Sequence, residues 1–313
     1  MILVTGGTGF VGRALIRHLA DAGYPVRVLL RPSPDSPTIP RGVSMEVAVS
    51  SLEDNRGLRA AMVGVDAVYH LVGVERRGAY ADLVSIDIQG TRSVVEAAAF
   101  AGVGRIFYIS HLGADRASAY PVFKAKAIAE QFVRRGGVDY TILRTALVFG
   151  PNDGFTTGLA QLLHTQPLVF MVPGDGATLV QPLWVEDLAT CLTWALDDDG
   201  TRNQTIELGG PEYMTFIEVL VKIMQTIGIQ RRILHVRPPY LRGITVMLEN
   251  LLPSLPVSVF WLDYLAANRT TALDTIPRIF NLMPSRLSQR LAYLRGPNWR
   301  RDAWRSVFRR PRS

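Results

Sequence analysis

Gly6, Gly7, Gly9 and Gly12 follow the apolar stretch Ile2-Leu3-Val4, with Thr5 before them and Thr8, Phe10 and Val11 between them. Bare backbone at that spacing suits one kind of chemistry, the binding of a phosphate anion. Ile2, Leu3 and Val4 read as a buried strand, and Ala14, Leu15, Ile16 and Leu19 carry helical spacing, so the glycines fall on a strand-to-helix turn. Gly6 and Gly7 allow the tight turn, Gly9 lets the backbone approach a pyrophosphate, and Gly12 lets the helix pack on the strand. Free N–H groups and the helix dipole then face the anion. A glycine-rich turn without a ligand is the plainer alternative; strand, turn and helix occurring in this order argue against it.

The second residue with a chemical reading is Arg31. Pro25-Val-Arg-Val-Leu-Leu30 is another buried strand, and its end is where a dinucleotide fold that uses NAD places an Asp or Glu against the ribose 2′-hydroxyl. Here the strand ends in Arg31 with no acid beside it. A guanidinium fork matches a 2′-phosphate, so NADP is favoured over NAD, against the alternative of a solvated strand-end charge.

These residues need elements to hold them, and the first half of the chain supplies strands and helices in alternation. A helix over 10–22 stops at Gly23; Ser44–Val49 alternates like a third strand; Ser51-Leu-Glu-Asp54 reads as a capping box opening a helix to Met62. Val65–Gly73 is the fourth strand, ending in a glycine where backbone can approach a cofactor. A long helix spans Tyr80–Phe100, Arg105–Ser110 is the fifth strand, a helix runs from about Phe123 to Arg135, and Asp139–Arg144 is the sixth strand. This alternation predicts an α/β fold with a Rossmann-type, doubly wound parallel sheet and ligands at the strands' carboxyl ends. Later, Gln204–Leu208 returns to the sheet and Thr215 caps a helix over 216–227.

Composition sets the limits. The chain has 313 residues, 48% hydrophobic and 19% charged, enough for a large core. Its one cysteine, Cys191, lies in an apolar helical run and reads as a buried inert thiol, and no histidine has metal-type spacing, so no metal site is expected. A strand at residue 2 leaves no room for a signal peptide ahead of it, which predicts a reducing, cytoplasmic setting. The uncharged run Asn250–Leu262 carries two prolines and is too short to span a bilayer.

Several longer motifs resemble one superfamily. Thr5–Gly12, Gly64-Val-Asp-Ala-Val-Tyr-His-Leu-Val-Gly73, Gly90-Thr91 with Glu96-Ala-Ala98, Leu143–Pro151 and Gln181-Pro-Leu-Trp-Val-Glu-Asp-Leu-Ala189 are similar to the extended and atypical short-chain dehydrogenase/reductases. Within it the chain resembles the NmrA-like group and the nucleotide-binding accessory subunits of respiratory complex I. The resemblance covers roughly residues 1–230, a dinucleotide domain with cleft-forming insertions from about 151. It implies a smaller C-terminal lobe over the cleft, here 231–296, and NAD(P) as ligand. It also implies that Ser51 and Leu52 lie near the adenine, Ser51 standing where relatives often carry an Asp, and that Leu71 and Gly73 line the cofactor. Asp87 stands where relatives carry an Asn.

The same resemblance says where catalysis would sit. Catalytic members use a Ser or Thr after the fifth strand and a Tyr-x-x-x-Lys on the next helix, where the lysine charge lowers the tyrosine pKa so that the phenol can exchange a proton with a carbonyl. Tyr120 and Lys124 have that spacing, and Ser110 could orient the substrate oxygen. A second register follows from a Glu four residues after the family lysine; it selects Lys126 with Glu130, puts Val122 at the tyrosine position, and leaves Lys126 as a ligand of the nicotinamide ribose.

Residues 297–313 are of another kind. From Arg286 onward there are nine arginines against one acid, Asp302, so the rest of the chain is close to neutral. On a helix from Asn298, Trp299, Ala303, Trp304, Val307 and Phe308 would form one apolar face, which suits an anionic membrane surface or a larger complex; a solvated basic end is the alternative. Nucleic acid is not expected, since nothing else supplies a basic groove. Three functional readings follow: an NADP(H)-dependent oxidoreductase acting on a small hydrophobic carbonyl or alkene, a non-catalytic NADP(H)-binding accessory or sensing subunit of a membrane-associated complex, and an epimerase-like or other non-redox use of the scaffold, which the weakened tyrosine position disfavours.

Overall fold

The computed structural model describes residues 1–34, 37–166, 168–251 and 258–296 together with Trp299, the side chain of Arg76 excepted. Strands β1 (Ile2–Thr5), β2 (Val26–Leu30), β3 (Glu46–Val49), β4 (Ala67–His70), β5 (Arg105–His111), β6 (Asp139–Thr145) and a last strand, Gln204–Leu208, make one sheet. Its order is β3-β2-β1-β4-β5-β6 followed by Gln204–Leu208, and every pairing is parallel. The winding reverses between β1 and β4, where Thr5 lies in register with His70. A crevice opens at their carboxyl ends.

The helices used below are α1 (Phe10–Asp21), α2 (Asn55–Ala61), α3 (Gly90–Ala101), α4 (Pro121–Arg135), α5 (Thr156–Thr165), α6 (Val185–Trp194), α7 (Phe216–Ile227), α8 (Pro238–Leu251) and α9 (Val259–Tyr264). Ile2, Leu3 and Val4 are all buried because helices cover both faces of the sheet, as parallel strands require. On one face Leu15, Ile16 and Leu19 of α1 and Leu188, Cys191 and Leu192 of α6 pack on Val4, Val28 and Tyr69. On the other, residues of α2, α3 and α4, among them Leu58, Val94 and Val133, pack on Leu3, Val68 and Ile106. The lobe that includes α5, α7 and α9 has its own apolar core, in which Phe155, Phe216, Phe260 and Tyr264 meet Phe123 of α4.

Most boundaries agree with the periodicity, and three features differ. Asp54, not Ser51, caps α2: its carboxylate accepts from Arg56 and Gly57 N–H at 3.1 and 3.0 Å, while residues 51–54 close as a turn of their own through Asp54 N–H to the Ser51 carbonyl. The long helix expected over 80–100 is three pieces, a 3-10 segment Glu75–Tyr80, a π-helical segment Leu83–Gln89 and then α3. Gly78, at φ +56°, interrupts the first piece, and the second carries Asp87 into the interior. Trp299 is also not on an outward face: it is 8% exposed in the lobe core and donates its indole N–H to the Leu294 carbonyl at 3.0 Å. The remainder of the predicted aromatic-arginine helix, residues 297, 298 and 300–313, lies outside the described residues. The capping box at α7 is as expected: Thr215 Oγ1 accepts from Glu218 N–H at 3.2 Å and the Glu218 carboxylate accepts from Thr215 N–H at 2.7 Å. Among the described residues no helix is long and apolar enough to cross a membrane, and no His, Cys, Asp and Glu group could hold a metal.

Candidate active site

The glycine turn joins β1 to α1 in the crevice. Gly6 has φ +73°, and a Cβ there would meet the Leu71 carbonyl carbon at 2.8 Å; a Cβ at Gly12 would meet the Gly6 carbonyl oxygen at 2.4 Å. Glycine is therefore needed at both positions for backbone to lie on backbone. Gly7 has a packing role, since a Cβ would strike Val28 and Ile16 within 2.8 Å. Gly9 is the N-cap residue of α1, without a side-chain cap or an acid in the first turn, and Thr8 and Gly9 are exposed beside it. This leaves the positive end of a twelve-residue helix directed at the crevice. Arg31 is exposed at the end of β2; Ser51 and Leu52 are half-buried, with Leu52 against Gly90 of α3. These features fit a dinucleotide: a side-chain-free cradle, a helix end and an arginine at the strand where a ribose would lie.

Behind the cradle runs a buried polar chain. His70, 1% exposed, pairs through Nδ1 with Thr5 Oγ1 at 2.7 Å and through Nε2 with Thr91 Oγ1 at 3.0 Å; Thr91 donates to the Asp87 carbonyl at 2.5 Å. With Thr91 donating onward, its oxygen accepts from His70, which places the imidazole proton on Nε2. The Asp87 carboxylate accepts from Val74 N–H at 3.2 Å and sits 2.9 Å from Lys126 Nζ. Burial would lower the Lys126 pKa, but Asp87, then Tyr108 and Glu75, hold it well above the ordinary lysine value. Lys126 is 4% exposed and Asp87 1%, so this is an interior ion pair that closes the crevice floor beside Gly73.

Burial, followed by the Lys126 charge, pulls His70 down to about 3 from the usual 6.5. The folded protein then binds fewer protons at this site than the unfolded chain between those values, so stability falls as pH drops through that window and is unaffected by His70 above it. Urea unfolding should show a slope approaching about 1.4 kcal/mol per pH unit below pH ~6. In His70→Gln the slope between about pH 5 and 6 should flatten; an unchanged slope would assign it to other groups.

A cleft beside this floor is lined by Phe10, Val11, Leu71, Glu75, Ile109, His111, Lys126, Phe260, Trp261 and Tyr264, with residues 145–148. Of the family-implied catalytic residues, the structure brings only Lys126 to it. Tyr120 precedes α4 in extended conformation, and its ring stands edge-on to Phe123 at 6.4 Å. Lys124 is exposed, and Ser110 is buried on the other side of β5 beside the Glu130–Arg144 pair. Side chains of a strand alternate, so the residue that reaches the cleft from the end of β5 is the next one, His111.

Three groups that the sequence reading did not single out complete the cleft. His111 has both ring nitrogens buried without a hydrogen-bond partner, and its Nε2 stands 3.8 Å from Glu75 Oε1. Burial would raise the Glu75 pKa, but Lys126 and then His111 outweigh it and hold the carboxyl well below the usual range. Its other oxygen, Oε2, is buried and unpaired. Tyr264 comes from α9 with its hydroxyl buried and unpartnered, and burial pushes its pKa up. A signal for His111 was available: a titratable residue at the carboxyl end of a buried parallel strand, two positions after Ile109 and four after Phe107. Glu75 and Tyr264 carried none, lying on a 3-10 segment and on a lobe far along the chain.

A glycine turn at the reversal point of a parallel sheet, with a buried lysine on the helix after β5, defines a Rossmann-type protein of the NAD(P)-binding class. The family described as NAD(P)H-binding matches residues 6–166, and the chain belongs to it. The chain is 33% identical over 229 residues to NADH dehydrogenase [ubiquinone] 1 alpha subcomplex subunit 9, mitochondrial, of Arabidopsis thaliana, covering 71% of this chain and 56% of that protein. It is 31% identical over 192 residues to a ceramide reductase of Caulobacter vibrioides, covering 61% and 59%. It thus spans a little over half the length of each of these relatives. Its fold is similar to an NADPH-dependent quinone oxidoreductase of Escherichia coli complexed with NADPH, with a TM-score of 0.73 over 94% of this chain and 99% of that one at 19% identity.

Proposed function

We propose that the protein is an NADP(H)-dependent reductase of a hydrophobic carbonyl or activated alkene, in which His111 serves the reacting oxygen. The observation that carries this reading is the convergence of partnerless buried groups, both His111 nitrogens and the Tyr264 hydroxyl, on the cleft beside Lys126. Buried polar groups are normally satisfied, and a site that leaves several open is arranged for a ligand. The glycine turn and the α1 end would hold the pyrophosphate, Arg31 the 2′-phosphate and Lys126 the nicotinamide ribose; the nicotinamide supplies the hydride when bound. The His111 imidazole stands beside Glu75 and next to the Lys126–Asp87 pair. It would donate its proton to the substrate oxygen as the carbon is reduced, with the Tyr264 hydroxyl orienting that oxygen. Glu75, 3.8 Å from Nε2, would hold the imidazole by attraction.

The reading is supported by a relative named as a reductase and by the cleft's apolar walls. The test is loss of reduced-nicotinamide absorbance when NADPH is offered with a panel of ketones, enones and quinones. Binding of NADPH without turnover on any of them would instead support the accessory-subunit reading, which the name of the Arabidopsis relative favours. Cofactor choice has its own expected result. NADPH should bind more tightly than NADH, and Arg31→Ala should narrow that gap by about 1 to 3 kcal/mol, the worth of a charged hydrogen-bonded contact. Equal affinities in the unaltered protein, measured by titration calorimetry, would refute it.

A further inference from the structure

A second cavity lies in the C-terminal lobe, between α5, the strand Val169–Pro173, α8 and α9. Leu159, Leu162, Phe170, Leu241 and Leu248 are among its walls, and none of its described lining residues is charged. A nucleotide or sugar phosphate would find no counter-charge there. An alkyl chain would find mostly apolar contact, with Gln166, Thr245 and Ser258 the polar side chains in the lining.

Two further observations connect this cavity to the active site and to the outside. Trp261 lines both the cavity and the cleft: its ring packs on Phe155 at 4.9 Å on the cavity side and on Phe260 at 4.8 Å, and Phe260 in turn lies 5.7 Å from the His111 ring. The outer wall, α8, is apolar on both sides. Leu241, Thr245 and Leu248 face the cavity, while Tyr240, Ile244, Met247 and Leu251 are exposed by 67%, 40%, 61% and 62%, a stripe with helical spacing. Arg232 and Arg237 are exposed in the same segment, while Arg242 pairs with Asp263 of α9; the segment's one acid, Glu249, is buried and accepts from the Ala79 and Val259 N–H groups. An exposed apolar stripe flanked by arginines matches the interface of an anionic bilayer.

Resting on the reductase reading above, we propose that the cavity holds a single long alkyl chain of the substrate, whose oxo group reaches His111 past Trp261, and that the chain enters beneath α8 from an anionic lipid surface. The substrate class is a lipid-derived ketone or aldehyde. Hydride would arrive at the carbonyl carbon from the reduced cofactor, the proton at its oxygen from His111, and the product would be the corresponding alcohol with oxidised cofactor.

The test uses the full chain and a homologous series of methyl ketones from hexanone to pentadecanone, with NADPH affinity measured on the same samples. Ketone affinity should rise about fourfold per added methylene and level off once the cavity is full. Ile244→Trp, at a half-exposed position that also lines the cavity, should lower affinity for the long ketones at least about tenfold and leave NADPH binding unchanged. Flotation with phosphatidylglycerol vesicles should recover the unaltered protein, and Met247→Glu combined with Leu251→Glu should abolish recovery while keeping the ketone series intact. Affinity independent of chain length would overturn the chain site, even with tight NADPH binding. Recovery of the double variant on vesicles equal to that of the unaltered protein would overturn entry from the lipid surface. Failure to bind NADPH would instead refute the reductase reading, which makes the two failures distinguishable.

Discussion

Alanine at Asp87 should cost about 3 to 5 kcal/mol of folding stability, because it leaves the Lys126 ammonium in the interior with its nearest counter-charge removed. The magnitude follows from burial, since the Lys126 and Asp87 side chains are 4% and 0% exposed in a pair 2.9 Å apart. An exposed pair of the same geometry would be worth about 1 kcal/mol or less. Removing Asp87 also withdraws the acceptor of Val74 N–H and thereby loosens the segment that carries Glu75. Lys126→Met should do less harm to folding, because Asp87 keeps that hydrogen bond, and more to the cofactor, weakening NADPH by about ten- to a hundredfold if the ammonium holds the ribose. Urea unfolding and NADPH titration of both variants check this; a loss of about 1 kcal/mol or less in Asp87→Ala, the worth of an exposed pair, would mean that the pair is not the keystone of the crevice floor.

The second large effect belongs to His111. His111→Asn should reduce turnover by about 10² to 10⁴, the usual share of a positioned acid or base, while NADPH affinity stays within about twofold. Tyr120→Phe should change neither, since its ring packs on Phe123 and is not among the cleft-lining residues. Steady-state kinetics on the best ketone from the panel separate the two candidates: if Tyr120→Phe were as inactive as His111→Asn, the assignment of the proton to His111 would fall.

What the chain reveals before folding depends on how local each signal is. The Rossmann-type sheet, the glycine cradle and the Thr215 cap are written in short stretches, where apolar runs and turn residues act on their immediate neighbours. The site proper is not local. Ser110 and His111 differ by one position, yet the strand's period of two sends one to Glu130 and the other to the cleft. Glu75 sits on a 3-10 segment with no repeating pattern, and Tyr264 lines the same cleft as Lys126 only because the lobe folds over the sheet. Asp87 was visible as a departure from the family Asn; its role as partner of Lys126 depends on a π-helical turn that no propensity indicates. Likewise the expected capping box at Ser51 lost to Asp54, one turn closer to the first helical N–H groups.

Cys191 has a practical meaning beyond packing. It is the chain's one thiol, it is fully buried between α6 and the sheet, and burial pushes its pKa well above the ordinary cysteine value. Thiolate is the form that reacts with maleimides and iodoacetamides, so this sulfur is silent towards such reagents while the protein is folded. A cysteine introduced at any exposed position becomes the sole addressable handle, and a fluorophore or spin label can be attached there without removing the native residue. The same silence makes Cys191 a reporter of the opposite event: its modification marks the moment α6 leaves the sheet.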